Sequence, residues 1–199
     1  LVDQVEEILG PDILLYDVTY IIKEPGSSKF VSFHQDLIYW GFDGTEQVSA
    51  WLALSPATPE SGCMRMIPGS HQQGLKEQVI GEDKDNVLHL SQTIEDVNEN
   101  DAVFSTLNPG EFSLHHGWTI HSSGPNCSTD RRIGLNIQYI SPRLKQTKSD
   151  SDSAMLIRGN DPFGHFIDDT PATEWLPENA EVLLKERTEA KKVISGTPN

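Results

Sequence analysis

The feature that most limits this chain's fold is its punctuation. Stretches rich in β-branched and aromatic residues recur throughout, each short and each closed by Gly, Pro, Asn or Ser. Ile13 to Ile22 ends at Glu24-Pro25-Gly26-Ser27-Ser28, and Lys29 to Tyr39 ends at Gly41-Phe42-Asp43-Gly44-Thr45. Gln47 to Leu54 is apolar on both parities, as a strand covered on both faces would be. Further strands are expected at Cys63 to Ile67, Val87 to Leu90, Ala102 to Ser105, Glu111 to Leu114, Trp118 to His121 and Arg132 to Ile140. Many short strands with regular turns predict a mainly β fold, a sandwich or barrel of jelly-roll type. Residues 144–153 are polar and read as a mobile loop, while Asn179 to Ile194, with Pro177 near its start, reads as a helix.

At 199 residues the expectation is one domain with an ordinary hydrophobic core. The 15 Lys and Arg against 30 Asp and Glu leave a charge of −15, which opposes nucleic acid and anionic membrane as partners. Apolar runs are too short to span a bilayer, and the N-terminus lacks the pattern of a secretory signal. Cys63 and Cys127 form neither a disulfide framework nor a zinc motif, so a reducing, cytoplasmic setting is expected.

Chemistry concentrates in Phe33-His34-Gln35-Asp36. On a strand, His34 and Asp36 share a face with Cα atoms about 7 Å apart, so an imidazole and a carboxylate can converge on one ion. Alone, such a triplet reads as an ordinary surface pair. A third donor, His121, closes an apolar run just before Gly124-Pro125-Asn126. Two His and one carboxylate suit Fe(II) with open positions, and zinc can use a similar set. Eleven residues on, Arg132 begins a strand whose parity groups Arg132, Gly134, Asn136 and Gln138 on one face. That face either meets water or puts a bidentate carboxylate clamp beside a metal.

His34-x-Asp36, Met66-Ile67-Pro68-Gly69-Ser70-His71, Pro109-Gly110-Glu111, Ile120 to Asn126 and Arg132 together resemble the phytanoyl-CoA dioxygenase-like family over residues 12–143. Met155 to Gly159 and Phe163 to Phe166 resemble its bacterial members. The resemblance implies a double-stranded β-helix (jelly roll, cupin-like) with flanking helices, and an oxygenase dependent on Fe(II) and 2-oxoglutarate. It implies that His34, Asp36 and His121 hold the metal, and that Arg132 rather than Arg131 pairs with the distal carboxylate of 2-oxoglutarate. Ser123 matches a position that hydrogen-bonds this co-substrate, and Trp40 an aromatic bordering its pocket; plain core packing is the other reading of Trp40. Asp36 fills the position that halogenating relatives leave empty, which favours hydroxylation or desaturation. Partners are then dioxygen and a small-molecule substrate, with oligomeric state open.

Other residues carry weaker expectations. Of His115 and His116, adjacent on a strand, at most one faces a cavity. His71 reads as structural, and Arg65 and Arg143 as partners of an anionic substrate or of nearby acids. The family usually has more chain before its metal-binding strand than the 33 residues preceding His34, so a missing N-terminal flank is expected. A non-catalytic jelly-roll module that binds metal or ligand is the competing reading; a zinc hydrolase would need a general base that nothing obvious supplies.

Overall fold

The computed structural model describes residues 1–171 and 180–195. Among them, ten strands and two α-helices follow in the order α1 (Val2–Leu9), β1 (Ile13–Lys23), β2 (Val31–His34), β3 (Gln47–Ala53), β4 (Met64–Met66), β5 (Val103–Phe104), β6 (Phe112–His115), β7 (His121–Ser123), β8 (Arg132–Ile140), β9 (Ser153–Arg158), β10 (Ile167–Asp168) and α2 (Ala180–Ser195). They form a six-stranded sheet, β10-β9-β1-β8-β3-β6, and a four-stranded sheet, β2-β7-β4-β5. This is the mainly β, two-sheet architecture with a C-terminal helix expected from the sequence. No helix among the described residues is long and apolar enough to cross a membrane.

Three strand expectations need correction. Val87 to Leu90 is irregular and leads into a 3-10 turn at His89–Ser91, where Leu90 and Ser91 hold positive φ. The strand expected over Lys29 to Tyr39 stops at His34, and Asp36–Tyr39 is a 3-10 turn. Trp118 to Ile120 is a turn, and β7 starts only at His121. Val87 meets Phe30 (Val87 N to Phe30 O, 3.0 Å) and Ile120 meets Ile67 (Ile67 N to Ile120 O, 2.9 Å) through local backbone bonds rather than an extended ladder, and composition does not reveal pairing.

The chain divides into two compact units. The first comprises residues 1–17, 37–48 and 138–199. Here β9 lies antiparallel to the start of β1, with Leu14 opposite Leu156 and Leu15 opposite Met155. Leu14, Tyr16, Ile140, Leu144, Ala154 and Phe166 form its core, with Trp40 and Phe42 packed against them. Each such side chain, once buried, is worth roughly 1.5–3 kcal/mol. Helix α1 is tied down by Arg158, which pairs with Asp3 at 2.8 Å and with Glu6. Helix α2 covers Ala180–Ser195 of the described residues, inside which most of the expected helix falls; Pro177 and Asn179 lie outside the described residues. The polar stretch expected as a loop is irregular, yet Gln146 and Asp152 are buried within it.

The second unit comprises residues 18–36 and 49–137. Strand β7 lies between β2 and β4, with His121 opposite both His34 and Met66. Strand β3 pairs antiparallel with β6, placing Ser49 opposite His115 and Trp51 opposite Ser113. Two apolar clusters fill this unit: Phe33, Ile94 and Ile120; and Trp51, Ala53, Ala57, Cys63 and Met64.

Candidate active site

The site lies in the second unit, where His34 ends β2 and His121 begins β7 as antiparallel register partners. Directly opposed residues bring their side chains together, and the two imidazole centroids are 4.2 Å apart. Asp36 arrives by a different route from the one strand parity suggests. The strand ends before it, and the 3-10 turn swings its carboxylate back until Oδ1 lies 3.1 Å from His34 Nε2 and 3.7 Å from His121 Nε2. Gln35 holds that turn in place. Fully buried, it donates to the carbonyls of Gly74 (2.9 Å) and Trp118 (2.8 Å) and accepts from Lys76 N (2.8 Å).

Both histidines are oriented by the same device. His34 Nδ1 donates to the Ser32 carbonyl and His121 Nδ1 to the Thr119 carbonyl, each at 2.9 Å and each two residues back along the chain. A carbonyl can only accept, so Nδ1 carries the proton and Nε2 presents a lone pair. Burial, reinforced by His34, pushes His121 down to about 3, so it stays neutral. The Asp36 carboxyl is held well below the usual carboxylate range although burial opposes this, so it stays an anion. Two lone pairs and an anion therefore converge with no proton to share, and one donor atom from each residue lies within 4.8 Å of the others. That donor set and its electrostatics fit a divalent transition-metal ion.

The turn before β7 is also built to hold His121. Gly69 takes a positive φ of 75°, opening the 3-10 turn at Ser70–Gln73. Buried Ser70 then accepts from Ile120 N at 2.8 Å and donates to the Ile67 carbonyl at 2.7 Å. His71 is exposed on this turn, consistent with a structural segment.

Arg132 is 1% exposed. The polar parity of β8 faces inward: Arg132 and Asn136 line a cavity of about 210 Å³ together with His34, Asp36, His121 and Ser123. Arg132 donates to the Gly62 carbonyl at 2.6 Å, and its guanidinium lies 5.2 Å from the Trp51 ring centroid. Two glycines make this possible. A Cβ at Gly134 would fall 1.9 Å from the Trp51 ring, and one at Gly62, whose φ is +71°, would meet Gly124 O at 2.4 Å. Burial pushes Arg132 down to about 10, leaving it cationic at neutral pH. Among the described residues no carboxylate pairs with it, and its Nε has no partner.

A second buried cation stands nearby. Lys23, at the end of β1, donates to Ser123 Oγ (2.8 Å), to Ser123 O (3.2 Å) and to Gly124 O. Burial, and then the charge of Arg132, push it down to about 7. Asn126 supports this end by donating to the Lys23 carbonyl at 3.0 Å. The sequence reading missed Lys23, Gln35 and Trp51: Lys23 closes an apolar strand, Gln35 sits between two better-known donor types, and Trp51 reads as core.

The remaining expectations divide. His115 is buried beside the triad, and His116 is not among the residues lining the cavity. Trp40 belongs to the aromatic cluster of the first unit, with ring centroids 6.3 Å from Tyr16 and 6.2 Å from Phe42. It does not line this cavity, and its environment is that of core packing. Arg65 pairs with Glu99 at 2.9 Å. Arg131, the neighbour of Arg132, pairs at the surface with Glu24 at 2.8 Å.

Comparison with known proteins bears on the family and the fold. Among curated proteins, the peroxisomal phytanoyl-CoA dioxygenase of Homo sapiens is 31% identical over 142 residues, covering 69% of this chain and 42% of that protein. Phytanoyl-CoA dioxygenase 1 of Oryza sativa subsp. japonica is 35% identical over 121 residues, 61% of this chain and 42% of that protein. The chain thus spans less than half the length of these relatives. Among solved structures, the apo non-heme monooxygenase ThoJ superposes with a TM-score of 0.84 at 30% identity, covering 98% of this chain and 71% of that one. EvdO2 from Micromonospora carbonacea var. aurantiaca, complexed with 2-oxoglutarate, gives 0.59 at 26% identity over 69% of this chain and 55% of its own. The family profile for phytanoyl-CoA dioxygenase (PhyH) matches residues 1–134, two thirds of the sequence, and the chain belongs to that family.

Proposed function

We propose that this protein is a non-haem Fe(II)- and 2-oxoglutarate-dependent dioxygenase that oxidises a small-molecule substrate, by hydroxylation of an aliphatic carbon. One observation carries the reading: the three-donor set shares its cavity with a buried, unpaired guanidinium. A buried charge without a counter-ion is costly, so such an arginine is best explained by an anionic ligand. A dicarboxylate has one end for the metal and another for Arg132, whose fork suits a carboxylate. The cavity, about 210 Å³, is smaller than the roughly 300–1,000 Å³ of drug-sized sites and suits a compact co-substrate.

His34, Asp36 and His121 would hold the iron, which when bound supplies the oxygen chemistry. Arg132 would bind and orient the distal carboxylate, with the Trp51 ring packed 5.2 Å from its guanidinium. Ser123 Oγ, fixed by Lys23, would offer the same carboxylate a hydrogen bond. Ile21, Val31, Met64, Val87 and Leu88 supply an apolar lining that excludes water and receives an aliphatic segment. The presence of Asp36 favours hydroxylation or desaturation over halogenation. Named relatives are oxygenases with differing substrates: one is called 1-deoxypentalenic acid 11-beta-hydroxylase and another a probable alpha-ketoglutarate-dependent hypophosphite dioxygenase.

The test is turnover of labelled 2-oxoglutarate with Fe(II) and oxygen across a metabolite library. Succinate release that rises with a particular substrate and disappears in Arg132→Met supports the proposal. Tight metal binding with no affinity for 2-oxoglutarate would instead favour the metal-binding module.

A further inference from the structure

His115 has no part in the proposal so far. It ends β6, whereas His34 and His121 come from the four-stranded sheet, so it reaches Asp36 from a different sheet. Its side chain is 3% exposed, and neither ring nitrogen has a hydrogen-bond partner. An unpartnered imidazole in this setting costs stability. What it faces is specific. His115 Nε2 lies 3.7 Å from Asp36 Oδ2, while His34 and His121 both face Oδ1. The two carboxylate oxygens are thus divided between two sets of imidazoles.

We propose that His115 is a positioning residue: Nε2–H holds the outer oxygen of Asp36, so that the carboxylate binds an ion through Oδ1 alone. The inference rests on the reading of His34, Asp36 and His121 as a metal site. At 3.7 Å the pair is just beyond hydrogen-bonding range, and a small rotation of the carboxylate closes it. A carboxylate free to turn would present both oxygens to one ion and occupy a position the reaction needs open. The His115 ring is also braced, 4.9 Å from that of His121, so the donor cannot swing away without disturbing a ligand.

The test is Ni(II) affinity by calorimetry, without co-substrate, for the wild type, His115→Phe and His115→Gln, with the unfolding midpoint of each ion-free protein. The expected result is a roughly 10–100-fold loss in His115→Phe, the range for removing a partner of a ligating group, with most of it restored in His115→Gln. The ion-free His115→Phe protein should unfold no earlier than wild type, since it loses an unpartnered polar ring. Undiminished Ni(II) binding in His115→Phe would overturn the proposal. Equal losses in Phe and Gln would overturn it too, because a donated hydrogen bond must be recoverable by another donor. Failure of the wild type to bind any divalent ion overturns the metal site itself, an outcome distinct from the others.

Discussion

Each unit of the chain buries a cluster of polar side chains, and the two clusters are finished differently. In the first unit, Tyr16 donates to Asp152 Oδ2 at 2.9 Å, Gln146 donates to the same oxygen at 2.8 Å, and Ser153 N reaches Oδ1 at 3.0 Å. Gln146 also closes on the Trp40 carbonyl at 2.9 Å. These groups answer one another, and burial together with Asp152 drives the Tyr16 hydroxyl upward, keeping it a donor. In the second unit, Arg132 Nε, Asn136 Oδ1 and both nitrogens of His115 are left without partners around a cavity. Buried polar groups are normally satisfied, so a local concentration of exceptions marks a place where something else binds. The closed cluster is complete in itself; the open one, on the function proposed above, receives the metal and co-substrate.

Breaking the open cluster should abolish binding before it affects folding. The largest effect is expected for His121→Ala or Asp36→Ala, each lowering Ni(II) affinity by more than about 100-fold while the ion-free protein still folds, measured by calorimetry and circular dichroism. Arg132→Met comes next. It should cost about 2–4 kcal/mol of 2-oxoglutarate binding, with Ni(II) affinity retained and the ligand-free unfolding midpoint not lowered.

Effects on stability are smaller. Gly134→Ala drives a methyl into the Trp51 ring, and denaturant unfolding should show a loss of about 1–3 kcal/mol with weaker co-substrate binding. The closed cluster should behave in the opposite sense from Arg132. Tyr16→Phe is expected to remove about 1–2 kcal/mol of stability and leave both ligand affinities unchanged. A separate effect is on pH dependence. Lys23 falls from 10.5 to about 7 on folding, so above pH 7 the folded chain binds fewer protons than the unfolded one. Stability of the ligand-free protein should therefore rise with pH from about 7 towards 10.5, and Lys23→Met should flatten that slope.

Much of the open cluster was legible in the sequence, for uneven reasons. Strand β8 begins and ends where alternation says, and the same alternation groups Arg132 with Asn136. The convergence of His34 and Asp36 was anticipated through strand parity, but it is achieved by a strand end, a 3-10 turn and the Gln35 clamp. Local spacing reports that two donors are close; it does not report which backbone path brings them together. Between His115 and His116, parity allowed one inward residue, and the register with β3 selects His115. Strands β9 and β10 escaped notice because one is short and both follow a polar segment. The closed cluster was illegible because its partners lie far apart in sequence: 136 residues separate Tyr16 from Asp152. Trp40 shows the limit of motif spacing, since position relative to His34 does not say which core an aromatic joins.

The most direct test of the account is an anaerobic titration of the protein with Fe(II) and then 2-oxoglutarate, followed by visible absorption. A metal-to-ligand charge-transfer band should grow only when both are present. It should require roughly 30–1,000-fold more 2-oxoglutarate in Arg132→Met, the equivalent of the binding loss given above, and be absent in His121→Ala. No band in the wild-type protein, or an undiminished band in His121→Ala, would contradict the assignment of this cavity to iron and 2-oxoglutarate.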